Sequence, residues 1–430
     1  MSRTNSSPQL RRELGVMGAT VMGLGSIIGT GLFVSIGIAA GIAGTSVILA
    51  VIIGALVATC NGLNSAQLAA NHPVSGGSYE YGYKYLNSWL GFTAGWMFLL
   101  AKTASAATAA LGFAGYFLNA TGMGGRGLLI PVALTPVVIL TAIVLSGIRR
   151  SNVINITIVS ISLLSLVFFI IAGTPTAITN GPNNLTPFFQ GSIGTVLHAS
   201  ALMFVAYTGY GRIATLGEEA KEPHRTIPRA IIVTMVLTMV LYTAVALVAV
   251  GAVGADVLGK LGTVGQTAPL QVVAGYFSVM GGSQILAIGA IAAMLGVLLN
   301  LILGLSRVLL AMGRRRDMPR IFALVNHSGT TPVSATIAIG IAIALLVLTG
   351  NVKTTWSFSA FTVLIYYAIT NLAAIYLPPL ERLYPKWLSL LGLAACLFLA
   401  FWVEPFIWHV GIALIVAGLI WHAAAREIVS

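Results

Sequence analysis

Apolar runs recur every 25 to 40 residues from Leu14 to Ala424, and no polar stretch between them is long enough to form a separate domain. A helix needs about 20 predominantly apolar residues to cross the hydrocarbon core of a bilayer. Windows of that kind fall at 14–40, 44–69, 88–118, 127–146, 152–173, 194–217, 229–253, 283–312, 332–350, 355–377, 386–402 and 404–423. The pattern therefore predicts an all-α integral membrane protein with twelve transmembrane helices in a single transmembrane domain, 1–430. Residues 1–9 are polar, and no small-residue cleavage pattern follows the long first apolar run, so that run is expected to be a retained helix and not a secretory signal.

Composition agrees with the lipid bilayer as solvent. Hydrophobic residues make up 57% of the chain and charged residues 7%, whereas an ordinary soluble surface requires roughly 25% charge. A net charge of +12 would in isolation suggest nucleic acid as a partner, but the basic residues sit in short clusters between apolar runs. Arg11 and Arg12, Lys84, Arg149 and Arg150, Lys221, Arg225 and Arg229, Arg314 to Arg316 with Arg320, Arg382 and Lys386, and Arg426 all fall on the side of the N-terminus. The alternate loops carry only Arg126, Lys260 and Lys353, so the positive-inside rule places both termini in the cytoplasm of a multi-pass plasma (inner) membrane protein, with no nucleic acid partner. Cys60 and Cys396 lie inside apolar segments and support neither a disulfide framework nor a thiolate metal site. No HExxH, GxSxG or clustered His/Asp constellation marks an enzyme, and no cofactor or metal is implied.

Two spans are interrupted by glycine: the first by GSIIGTGLF at 25–33, the sixth by FVAYTGYGR at 204–212. Either stretch alone reads equally well as small-residue helix packing. Their positions correspond, however, if spans one to five (about 14–173) and six to ten (about 194–377) are two copies of one unit, followed by two additional helices (about 386–423). Five helices per copy make the repeat an inverted one, and broken helices at matching places point to a substrate site at the bilayer midplane. An unwound turn bares N–H groups at the start of one half-helix and carbonyls at the end of the other, and hydrocarbon satisfies neither. The positive end of the half-helix dipole suits a carboxylate and the carbonyls suit an ammonium group, so an α-amino acid answers both.

These stretches, with PVSGGSYEY at 73–81, Gly95-Trp96, GIRRS at 147–151 with Asn155, EEAKEPHRTIPR at 218–229, and Asn300 to Arg307 followed by RRRDMP at 314–319, resemble the amino acid–polyamine–organocation (APC) transporters. The resemblance covers about the first three quarters of the chain. It implies the five-plus-five inverted repeat with broken helices 1 and 6 (the leucine-transporter-like fold), alternating access, and substrate contacts from helices one, three, six, eight and ten. By position, Ser26, Ile27, Gly29, Thr30 and Gly31 would hold the carboxylate. Carbonyls near Ile27, Val205, Ala206 and Thr208, beside Gly209, would hold the amine, and Ser105, Thr108, Val205 and Tyr210 would set side-chain selectivity.

An ionisable group at the centre of a span costs at least about 2.5–3.5 kcal/mol, so each one calls for an account. Lys102, inside span three, snorkels to the headgroups, is a buried amine that loads and releases a proton, or is a structural partner to backbone carbonyls. Arg212 caps carbonyls freed by the sixth-span break or meets an anionic substrate group, His198 is a packed neutral histidine or a proton site, and Glu218 and Glu219 form a gate network or are solvated loop residues. Between Ile288 and Leu303 only Asn300 offers a polar side chain, which disfavours sodium, and the lysine that some proton-coupled relatives carry in helix five is here Ser162. With no Asp or Glu deep in a span, neutral L-amino acids fit best, acidic ones are left open by Arg212, and protons are the favoured coupling ion. An amino acid exchanger or a transporter-like nutrient sensor would leave the same motifs, whereas the two unlike breaks argue against a symmetric channel pore.

Overall fold

The structure, a computed structural model, describes residues 14–74, 76–124, 127–147, 152–215, 220–263, 268–325 and 331–427. The motif residues at 148–151 and 216–219, Arg11, Arg12, Arg126 and with them Glu218 and Glu219, lie outside the described residues. The first apolar segment divides into α1 (Val16–Ile27), α2 (Thr30–Phe33) and α3 (Ser35–Ala43). Then come α4 (Val47–Asn71), the short α5 (Ser78–Tyr85), α6 (Ser88–Ala120), α7 (Leu129–Leu145) and α8 (Asn152–Asn184). The second half holds α9 (Ile193–Tyr207), α10 (Gly211–Ala214), α11 (Pro223–Val253), the short α12 (Ala255–Thr263) and α13 (Pro269–Ala274), and α14 (Gly282–Arg314). The chain closes with α15 (Val333–Val347), α16 (Val352–Ile375), α17 (Lys386–Ala400) and α18 (Pro405–Glu427).

Among the described residues the fold is all helical apart from one isolated bridge between Leu14 and Ala220. Eight helical stretches are long and apolar enough to cross a membrane, and four shorter apolar helices, α1, α7, α15 and α17, accompany them. The boundaries differ most at the fifth segment, where α8 continues to Asn184 and not to 173. Its extension has a use: Asn180 and Asn184 donate to the carbonyls of Ala252 and Gly251 at 3.0 and 2.8 Å, answering groups that the end of α11 leaves open. The apolar pattern also gave no sign of α5 and α12, which are too short and too polar to register as spans.

With lipid outside, helix association rests on close van der Waals contact and internal hydrogen bonds, not on hydrophobic expulsion. Buried small residues accordingly recur along α6, Ala101, Ala104, Ser105, Thr108 and Gly112 among them, with Ser105 and Thr108 bonded to α16 and Gly112 against Met294 of α14. A polar cluster holds α4, α16 and α17 together. Asn64 donates to the Asn371 side-chain oxygen at 2.7 Å, Asn371 donates to Asn61, and Gln67 and Ser389 both donate to the Asn64 oxygen, at 3.0 and 2.7 Å. All five side chains are buried, and each amide group in the cluster has a partner, the condition under which a polar network in an apolar interior stabilises.

Candidate functional site

The first segment is interrupted at Ile28 and Gly29. α1 ends at Ile27, Ile28 and Gly29 are extended, and the helix restarts at Thr30. The sixth segment is disturbed less than its sequence suggests: α9 tightens into a 3₁₀ turn over Thr208–Tyr210 before α10 begins. Shortening hydrogen bonds from four residues to three turns the chain without opening a full gap, and the Thr208 N–H and hydroxyl both bond the Val205 carbonyl. Two glycines let these places touch. A Cβ on Gly209 would lie 2.3 Å from the Ser26 carbonyl oxygen, and one on Gly31 would lie 2.5 Å from the Ala206 Cα.

At this junction is a cavity of about 40 Å³, room for a few water molecules. Ser26, Ile27, Thr30 and Gly31 line it from the first segment, Lys102 and Ser105 from α6, and Val205, Ala206, Thr208 and Gly209 from the sixth segment. Val297 and Leu301 of α14 and Trp356 of α16 complete the wall. Of the other residues singled out by the sequence, Gly29 packs against Val297, Thr108 donates to Thr355 at 2.8 Å, and Tyr210 lies against Tyr367, all outside the lining. Arg212 turns toward Thr215 at 3.5 Å at the end of α10, also away from the cavity. His198 lies at the start of α9 and meets Glu404, as described below.

The polar groups around the cavity fall into two kinds. Some are answered: the Tyr242 hydroxyl donates to the Ile27 carbonyl at 2.8 Å, the Tyr116 hydroxyl to the Phe33 carbonyl at 2.7 Å, and the Tyr367 hydroxyl to the Thr208 carbonyl at 3.2 Å. Three tyrosines from three helices thus cap main-chain groups that the interruptions leave open. Others are not. The Thr30 hydroxyl is buried without a hydrogen-bond partner, and Thr30 and Gly31, as the first residues of α2, have N–H groups with no carbonyl one turn earlier. Lys102 does not snorkel outward: its ammonium reaches into the junction and donates to the Thr208 hydroxyl at 3.0 Å, and no carboxylate lines the cavity.

α16 fixes the remaining wall. The Trp356 indole N–H donates to the Leu202 carbonyl at 3.0 Å, and Ser359 pairs with Ser105 at 2.7 Å. Sequence reasoning missed Val297, Leu301 and Trp356 because apolar residues in apolar helices give no signal above their background; the capping tyrosines carried one, a hydroxyl inside a span that must find a partner. A second charged group lies near the start of α9 and α16, where Glu404 stands 3.3 Å from His198 and 3.0 Å from Lys353. The His198 contact lacks hydrogen-bond alignment. Burial pushes the Glu404 carboxyl up, but His198 and Lys353 outweigh it and hold the group at about 2.

Comparison with known proteins identifies the scaffold. The chain is 37% identical over 393 residues to an uncharacterized transporter of Mycobacterium tuberculosis (91% of this chain, 86% of the relative). It is 29% identical over 370 residues to a branched-chain amino acid permease of Bacillus subtilis and 31% identical over 369 residues to a methylthioribose transporter of the same organism, each over 80% of this chain and 76% of the relative. The profile of the family described as Amino acid permease matches residues 18–426. With that match spanning nearly the whole chain, the protein belongs to the amino acid permease family of the APC superfamily, membrane transporters and not enzymes.

Proposed function

We propose that the chain is a secondary active transporter of neutral L-amino acids that works by alternating access around the junction cavity. The same reading has twelve crossings, two inverted five-helix units followed by α17 and α18, and both termini in the cytoplasm of a plasma (inner) membrane. The observation that carries it is the cavity where two interrupted segments touch, with a buried unpaired Thr30 hydroxyl and the opening N–H groups of α2 on one side. A carboxylate placed on Thr30 and Gly31 gains N–H donors at a half-helix start, and an ammonium group is received by carbonyls of Ser26, Ile27, Val205 or Ala206. Val205, Val297, Leu301 and Trp356 leave an apolar surface for the side chain. Since no carboxylate lines the cavity, a cationic side chain would be buried unpaired, which disfavours basic amino acids and polyamines.

The cavity is too small for an amino acid with its side chain, so loading requires its walls to separate, as alternating access demands. The methylthioribose and branched-chain names of two relatives differ in substrate, and the choice of amino acids here rests on the cavity. Lys102 is the group we assign to the proton, because its amine reaches the cavity without a carboxylate partner there.

The test is a thermal-shift screen of the purified protein against the twenty amino acids, followed by counterflow in proteoliposomes. A ligand at 100 times its Kd stabilises by about 2.7 kcal/mol, and neutral L-amino acids are expected to do so stereospecifically. Stabilisation by none of the twenty, with no counterflow, would end the proposal. Counterflow without uphill accumulation would make the protein an exchanger, and binding without flux a sensor.

A further inference from the structure

The last helix and the turn after α14 meet in a buried charged cluster that the cavity does not use. α14 ends at Arg314, and the chain reverses through Arg316, whose φ of 67° is left-handed, so that the Asp317 N–H bonds the Met312 carbonyl at 2.9 Å. Asp317 is only 5% exposed. Its carboxylate accepts the Tyr79 hydroxyl at 2.6 Å and the Tyr83 hydroxyl at 2.7 and 2.8 Å, both from α5. α18 reaches the same residue twice. The Trp421 indole N–H donates to the Asp317 carbonyl at 2.9 Å, and His422 Nδ1 lies 3.3 Å from the carboxylate.

His422 is 1% exposed, stacked on Phe92 with centroids 4.5 Å apart and met edge-on by Trp89 at 5.2 Å. Neither ring nitrogen has an aligned hydrogen bond, so the contact with Asp317 depends on the charge of the ring. An imidazole is the side chain whose charge ordinarily changes between pH 5 and 8. The charged and titratable groups around it are few. The α14 turn supplies Asp317 and Arg315; α5 supplies Tyr79, Tyr83 and Glu80, the last held by Arg315 at 2.7 Å; and α18 itself supplies Arg426. α6 offers only Trp89 and Phe92 to the ring, and α16 carries Lys353, which Glu404 holds elsewhere, with Tyr366 and Tyr367, whose hydroxyls are engaged by Ser78 and Thr208.

We propose that His422 and Asp317 form a proton-operated latch that ties α18 to the α14 turn and, through Tyr79 and Tyr83, restrains α5. With the ring protonated, the pair is a buried ion pair; with the ring neutral, the carboxylate keeps its tyrosine bonds but loses its opposite charge, and α5 is freer. α5 is linked onward to the cavity. The Ser78 N–H donates to the Tyr366 hydroxyl at 3.3 Å, Tyr366 packs on Tyr367 at 4.8 Å, and Tyr367 bonds the Thr208 carbonyl beside Lys102. The latch stands on this geometry alone; its effect on flux rests on the transport reading given above.

The experiment is hydrogen exchange by mass spectrometry on the full chain in nanodiscs at pH 5 and pH 8, corrected for intrinsic rates. Peptides covering α5 and the end of α18 are expected to exchange at least about threefold more slowly at pH 5 in the wild type. His422→Phe, which keeps the aromatic stack, and Asp317→Asn should each remove that difference. Equal protection of wild-type α5 at the two pH values, or a pH response that survives His422→Phe, overturns the latch; should either variant fail to fold, the wild-type comparison still decides. Leucine counterflow with the pH changed only on the α5 side then tests the link to transport. A flux that ignores that pH while exchange responds overturns the link, whereas a complete absence of leucine flux with an intact exchange response counts against the transport reading and leaves the latch supported.

Discussion

Two of the polar clusters among the described residues of this apolar bundle are built to opposite ends. In the cluster between α4, α16 and α17, Asn61, Asn64, Gln67, Asn371 and Ser389 answer one another, and every amide there has a partner. At the junction of the first and sixth segments, the Thr30 hydroxyl has none and the Lys102 ammonium has a single hydroxyl. Burial is similar in both places, so the difference lies in satisfaction. A closed network fixes helices in one arrangement, while open donors and acceptors at a cavity are places where a passenger completes the bonding.

The largest expected effect comes from breaking the closed cluster. Asn371→Ala takes the acceptor from the Asn64 NH2 and leaves the Asn61 oxygen with only the weak Cys396 thiol, and each unsatisfied group costs about 1–3 kcal/mol, so a loss of roughly 3 kcal/mol is expected. Thermal unfolding in detergent reads it, and the order in which amino acids stabilise the protein should not change. A change in ligand preference at unchanged stability would mean that the cluster belongs to the site.

The open cluster predicts the reverse pattern. Lys102→Ala removes an ammonium that has no carboxylate beside it in the cavity, so stability should hold or rise while stimulation of uptake by a proton gradient is abolished. Unchanged stimulation in proteoliposomes removes Lys102 from the proton's path. Thr30→Val tests the same contrast at smaller scale. Valine keeps the shape and deletes a buried hydroxyl without a partner, so stability should rise by up to about 1 kcal/mol while stabilisation by ligand weakens.

The contrast between the clusters also marks what a sequence can disclose. The apolar runs were legible because lipid imposes a helix length, and the first interruption was legible because Gly25, Gly29 and Gly31 fall within about two turns of a span. The cavity residues Ser26, Thr30 and Thr208 could be singled out because they lie in those interruptions, and Ser105 only through the family resemblance. Val297, Leu301 and Trp356 could not, since a side chain that lines a cavity and one that faces lipid have the same composition. The depth of the sixth-segment disturbance was illegible for a related reason: glycine permits both a gap and a 3₁₀ turn, and the Ser26 contact with Gly209 decides between them only in three dimensions. The Asp317 and His422 pair was hidden by a separation of more than one hundred residues, with α18 carrying no recognisable motif.

The smallest effect separates these buried clusters from a charged contact open to water. Glu404 pairs with His198 and Lys353 but is 30% exposed, so screening keeps its contribution to a fraction of a kcal/mol, about 1 at most. Its folded pKa of about 2 lies below the ordinary 4.5, which fixes the sign: the stabilisation is complete above about pH 4.5 and fades as pH falls toward 2. Glu404→Gln should therefore lower the unfolding temperature slightly and equally at pH 6 and pH 8, and the gap to wild type should shrink below about pH 4.5 and close only near pH 2. A gap that keeps its full size at pH 3 would assign the loss to packing of the side chain and not to its charge. The contact would then belong with the closed cluster of α4, α16 and α17, where shape and hydrogen bonding matter and titration does not.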